Sequence, residues 1–158
     1  GACLERFKDD VQNAEDTQQL MLAEARLTKQ LYRIACEASG YQEFTRIKQG
    51  AGTDPANRFL DNGNYLAYGL GATATWVLGL PHGFSILHGK TRRGGLVFDV
   101  ADLLKDALVL PQAFISAMQG VENQDFRNQC ITNFNQAEAL DLMIDSLKTL
   151  ADEFGSNP

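Results

Sequence analysis

Leu20, Glu24, Leu27, Leu31, Ile34 and Ala38 follow one another at steps of four, three, four, three and four residues. That spacing is one unbroken stripe along an α-helix, apolar at every position except Glu24. Asp16 or Thr17 is the expected N-cap and Gly40 the residue just past the C-terminus. The stripe therefore predicts a helix of roughly 20 residues, about 30 Å long. The rest of the chain reads the same way. Asp54 as N-cap and Pro55 at the first helical position open a helix expected to reach Leu78, where Gly79 and Pro81 stop it. Gly63, Gly69 and Gly71 are read as weak points within it. Further helices are expected from Val97 to Leu108, from Pro111 to near Gly120, over 122–133 and over 136–153, with 154–158 frayed. No segment alternates like a strand and none repeats. The expected fold class is all-α, a multi-helix single domain over 1–158.

No run of 18 apolar residues and no leader pattern is present, so no transmembrane helix or secretory segment is expected. Cys3, Cys36 and Cys130 are odd in number and far apart. They read as free thiols in a reducing cytoplasm, not as a disulfide frame or zinc site. A chain that begins at Gly1 reads as a processed form or a piece of something longer. The formal charge of −6 is unevenly placed. Residues 1–93 carry 11 basic and 10 acidic side chains, a balance of +1, whereas residues 94–158 carry 3 and 10, a balance of −7. Such a chain does not coat nucleic acid non-specifically, but it can hold phosphates locally.

Three groups of residues carry possible chemistry. Glu24 on an apolar stripe needs a metal ion, an arginine from another element, or a proton; otherwise it sits at the wet edge of the core. Asp99, Asp102 and Asp106, at i, i+3 and i+7, share a helix face that is either solvated or offers carboxylates to a divalent cation. His88 precedes them across a glycine-rich turn and is followed by Lys90, Arg92 and Arg93. Two hard oxygens and one imidazole suit Mg²⁺ or Mn²⁺. Cations beside them suit a phosphate-bearing substrate, unless the turn is merely solvated. The paired Glu-x-x-His of di-iron bundles, CxxC, HExxH and phosphate-binding loops are all missing from the sequence.

Four segments resemble a known family: "LAEARLTKQLYRIACEA", "DPANRFLDNGNYLAYGLG", "LGLPHGFSILHGKTRRGGLVFDVADLLKDA" and the helical tail after Pro111. Together they cover most of residues 14–150 and are similar to the helical C-terminal domain of the CRISPR-associated integrase. Glu, then His, then Asp-x-x-Asp, in that order, is the diagnostic run. The resemblance implies a metal-dependent DNA endonuclease and integrase that inserts short DNA into the CRISPR repeat by 3′-hydroxyl attack. It places Glu24, His88 and Asp102 on the metal ligands for Mg²⁺ or Mn²⁺, and Asp99 beside them. Lys90, Arg92 and Arg93 fall where the family is basic near DNA. Implied partners are prespacer, repeat and branched DNA, a second copy in the full-length protein, and a companion adaptation subunit. "KTRRGGLVFDVADLLKDA" looks most like the subtype whose companion is fused to a nuclease-helicase. The family's N-terminal β-rich domain is absent from the sequence, so the chain by itself is expected to integrate poorly. The rival expectation is a non-catalytic helical module that binds protein.

Overall fold

The structure, a computed structural model, describes residues 1–47, 54–86 and 94–155. The described residues form seven α-helices and one π-helical turn, with no strand. They are α1 (Ala2–Gln12), α2 (Thr17–Ser39), α3 (Pro55–Val77), α4 (Gly95–Leu104), the π turn (Lys105–Val109), α5 (Leu110–Gln119), α6 (Asn123–Gln136) and α7 (Ala139–Gly155). The all-α expectation holds. Contacts divide the chain into two units, Gly1–Arg46 and Ile47–Pro158.

In the first unit α2 begins where its cap predicts. The Asp16 carboxylate accepts the Gln19 N–H at 2.8 Å, and the Gln19 side chain accepts the Glu15 N–H at 3.1 Å. Gly40, at φ 70°, ends it. The chain then folds back: Phe44 packs its ring 5.4 Å from Tyr32, and the Cys36 thiol donates to the Gln42 carbonyl at 2.7 Å. The preceding α1 was not anticipated. It packs against α2, and Asp10 on it accepts Arg26 at 3.1 Å. The stripe is less covered than its pattern implies. Leu20, Glu24, Leu27 and Leu31 are half-buried, but Ile34 is 44% exposed and Ala38 is exposed. Eleven residues of α1 span about 17 Å and the 23 of α2 about 35 Å, so α1 is too short to cover the whole stripe.

The second unit is organised around α3, which packs against α4, the π turn, α5, α6 and α7. Asp54 caps it, accepting the Asn57 N–H at 2.9 Å. Asn57, 3% exposed, in turn accepts the Ile47 N–H at 2.9 Å, which ties the incoming chain to the helix start. Two of the glycines read as weak points are contact points instead. A Cβ on Gly63 would lie 2.4 Å from Val109 Cγ1, and one on Gly71 would lie 2.9 Å from the Val97 carbonyl oxygen. They let α3 approach its neighbours closely while remaining helical. Around it Phe59, Leu104, Phe114, Phe126 and Met143 are fully buried, with the Phe59 and Phe126 rings 4.6 Å apart.

The expected helix over 97–108 differs in both ends and pitch. It starts earlier, at Gly95, because Gly94 adopts φ 77° as its N-cap. It also runs on into α5 through the π turn, where the Leu110 N–H bonds to the Lys105 carbonyl, five residues back. Pro111 lacks the N–H that a regular ladder would use next, so the hydrogen-bond register changes where a donor is missing anyway. Beyond it, Gln112, Ser116, Gln129 and Asn133 join α5 to α6. Gln112 donates to Ser116 at 2.9 Å and to Gln129 at 2.7 Å, and Asn133 donates to Gln112 at 3.0 Å.

Cys130 on α6 is 1% exposed, and burial pushes its thiol up to about 12. The unfolded thiol ionises from about 9.0, so its contribution to stability is complete below that pH and is lost as pH rises toward 12. At neutral pH an aromatic disulfide should label Cys3 and Cys36 readily and Cys130 only as fast as the fold opens, which a thiol-release time course will resolve. Prompt release of three thiols per chain would contradict this burial.

Candidate metal centre

The apolar face of α4, with Leu96, Val97, Val100, Ala101 and Leu104 buried, fixes the helix against α3 and α7. Asp99 and Asp102, three residues apart, are both half-buried. The Asp99 Oδ2 accepts the Ile86 backbone N–H at 2.7 Å and the Ser85 hydroxyl at 3.4 Å. Ser85 also lies against the Cα of Gly95, where a Cβ would come within 2.5 Å of Ser85 Cβ. The two glycines at the start of α4 thus serve different ends. Gly94 supplies a positive φ and Gly95 supplies room for Ser85. Asp99 and Gly95 together clamp the backbone two residues before His88.

His88, Lys90, Arg92 and Arg93 lie outside the described residues. The other histidine, His82, is exposed. Glu24 is half-buried on α2 in the first unit, and Asp99 and Asp102 belong to the second. Among the described residues no three His, Cys, Asp or Glu side chains gather as a metal site. Asp106 is half-buried within the π turn, so the 3.6-residue spacing behind the expected three-aspartate face stops at Leu104.

Asp102 forms an ion pair with Lys105, the two side chains being 23% and 22% exposed. The Lys105 Nζ also lies 5.2 Å from the centre of the Tyr68 ring. Tyr68 stands edge-on to Phe98, with ring centres 4.7 Å apart at 84°. Burial pulls the Lys105 ammonium down, but the Asp102 charge and hydrogen bond, together with Tyr68, outweigh it and hold Lys105 above its usual 10.5. Lys105 is therefore a cation at neutral pH. Sequence reading missed Lys105, Tyr68 and the Ser85–Ile86 clamp. The signal for Lys105 was present, since a lysine three residues after an aspartate on a helix meets it.

Among the described residues, the Asp99 and Asp102 carboxylates are of the kind a hard divalent cation takes. Carboxylate oxygens and one imidazole are ligands Mg²⁺ and Mn²⁺ accept. The Asp102 carboxylate, partly withdrawn from water, already requires a cation beside it.

Comparison with known proteins bears on the family. Residues 2–147 match the family model described as CRISPR associated protein Cas1. The "CRISPR-associated endonuclease Cas1" of Pseudomonas aeruginosa is 64% identical over 141 residues, which are 89% of this chain and 44% of that protein. The protein of the same name from Pectobacterium atrosepticum is 61% identical over 150 residues, 95% of this chain and 46% of that one. The chain thus spans less than half the length of these curated relatives. Among solved structures, that of a TtCas1–DNA complex superposes with a TM-score of 0.79 at 21% identity, covering 94% of this chain and 59% of the other. A structure of TtCas1 gives 0.76 at 24% identity, covering 87% and 52%. These two show a shared fold.

Proposed function

The chain belongs to the CRISPR-associated Cas1 family, and from that premise we propose that it is the helical catalytic part of a metal-dependent DNA endonuclease and integrase acting in spacer acquisition. The observation that carries the reading is the pair of roles at the start of α4. Asp102 is held beside the Lys105 ammonium, and one N–H and one O–H donor, from Ile86 and Ser85, fix Asp99. In this reading Glu24, His88 and Asp102 hold Mg²⁺ or Mn²⁺. The chemistry a bound ion would supply is polarisation of a phosphodiester and a lowered pKa for an attacking 3′-hydroxyl or water. The chain's own residues do the rest. Asp99 fixes the backbone at Ile86, the apolar face of α4 holds Asp102 at one depth, and Lys90, Arg92 and Arg93 would supply positive charge toward DNA phosphates.

The relatives are named endonucleases, and one structural neighbour was solved with DNA. Both support DNA as the substrate class. Prespacer, repeat and branched DNA, a second copy of the full-length protein, and a companion subunit fused to a nuclease-helicase complete the proposal. The test is a nicking assay on branched DNA with Mn²⁺. The 158-residue chain is expected to show weak cleavage that EDTA abolishes and that Glu24→Gln or His88→Ala removes. Joining it to the remaining half of a relative, with the companion subunit present, is expected to add strand transfer. Cleavage that survives both substitutions, or no effect of Mn²⁺ on either cleavage or melting, would favour the protein-binding module instead.

A further inference from the structure

Between Gly95 and Met118 the continuous helix of α4, the π turn and α5 exposes Leu103, Ala107, Pro111, Ile115 and Met118, and every one of them is apolar. Leu103 is 48% exposed, Ile115 45% and Met118 51%. The charged residues of the same stretch, Asp99, Asp102, Lys105 and Asp106, are half-buried instead. This inverts the usual arrangement of a surface helix, whose outer face is polar. The exposed residues follow one another at steps of four, four, four and three. Steps of four drift around a regular α-helix, and the wider π turn takes up that drift, so they form one line about 22 Å long. We propose that this line is a docking surface for an amphipathic helix of another protein, apolar on one face and rich in lysine and arginine beside it. The proposal is independent of the metal-site reading.

Charge selects the occupant. Residues 94–158 carry 10 acidic and 3 basic side chains. Asp102 and Asp106 stand one position before Leu103 and Ala107, and Glu122 and Asp125 are exposed just past Met118. Lys105, the one cation between Gly95 and Gln119, is paired with Asp102. Nucleic acid would meet repulsion along this line. A second copy would bring two acidic rims together, and so narrow a line falls well short of the roughly 800 Å² per partner that a standard interface buries. A helix with apolar residues every three or four positions can lie along the line, and its basic edge then meets the carboxylates. The limited area makes this a weak, reversible contact.

The probe is a fluorescein-labelled helical peptide of leucine and lysine, roughly 18 residues so as to span the line, with leucines spaced at three and four. Titration with the 158-residue chain is read by anisotropy. Binding with a Kd on the order of 10 µM is expected, and about tenfold weaker binding for the peptide with glutamate in place of lysine. Ile115→Gln combined with Met118→Gln should weaken binding about tenfold with the Tm unchanged, because both side chains are exposed. Leu103→Gln, at the other end of the line, should weaken it in the same direction. Leu142→Gln is the control and should bind as wild type. Leu142 on α7 is 49% exposed and has Asp141 and Asp145 near it, so it shares the acidic setting but not the line. Equal loss in Leu142→Gln, or no loss in the line variants, would reduce the effect to attraction of a basic peptide by an acidic protein and overturn the proposal. Equal binding of the glutamate peptide, or no binding of the lysine peptide, would overturn it as well. A concentration-dependent dimer in sedimentation velocity that the double variant dissolves would give the face to a second copy instead.

Discussion

Asp102→Asn is expected to lower Mn²⁺-dependent DNA cleavage by on the order of 10²–10³-fold, while Asp99→Asn leaves most of it. The two aspartates sit three residues apart on one helix and are both half-buried, yet their partners differ in kind. Asp102 faces an ammonium, and what that partner requires is charge. An asparagine there offers a cation only a neutral oxygen. It also leaves Lys105 half-buried without its carboxylate, which should cost about 1–3 kcal/mol of stability. Asp99 accepts an N–H from Ile86 at 2.7 Å, and an amide oxygen can accept that bond as well. Asp99→Ala removes the acceptor altogether, releases the backbone before His88 and is expected to approach the loss seen for Asp102→Asn. Paired assays of cleavage and Mn²⁺ binding decide the matter. If Asp99→Asn is as inactive as Asp102→Asn and equally poor in Mn²⁺ binding, Asp99 is a ligand and the clamp is incidental.

Two glycines on α3, two residues apart, are expected to respond with opposite sign. Gly71→Val drives a branched side chain toward the Val97 carbonyl oxygen, which a single Cβ would already approach to 2.9 Å, with the Ala101 nitrogen at 3.6 Å. Backbone on both sides cannot yield as a side chain can, so α3 and α4 must separate. The expected loss is about 2–4 kcal/mol, with a fall in Tm of roughly 10 °C. Gly69 meets nothing within 4 Å. Gly69→Ala should therefore gain about 0.5–1 kcal/mol from helix propensity alone. Thermal melts of the two variants check both, and a Gly71→Val protein that melts with wild type would show that the α3–α4 contact is looser than described.

What could be read in the sequence was whatever depends on local chemistry. Asp16 and Asp54 mark helix starts through their own side chains, and Gly40 and Gly120 mark ends through φ values of 70° and 64°. α1 escaped because it carries none of these marks. Its N-cap makes no side-chain bond and none of its residues is buried. The π turn escaped for a different reason. Its register change is settled by where Val109 must lie against Gly63, a contact 46 positions apart in sequence. Gly63 and Gly71 were misread for the same cause, since propensity counts a glycine as a weakness and cannot see the neighbour that needs the space. At the site, Asp99 and Asp102 stand out by spacing and order. Their division into a backbone clamp and an ion-paired carboxylate depends on Ser85, Ile86 and Lys105, and those partnerships are set by the tertiary fold.

The π turn also bears on how this helix can change in length. A helix that bonds five residues back at one point holds one residue more than its α-helical path requires. Deleting a residue from 105–109 would let that turn relax to the regular pitch, leaving the buried faces of α4 and α5 in register on either side. Insertion of a residue has no such outlet, because the slack is already taken up. Shortening here would spare the core but act on the turn that begins with Lys105 and carries Asp106, so the segment best able to lose a residue is also the one that flanks the proposed chemistry.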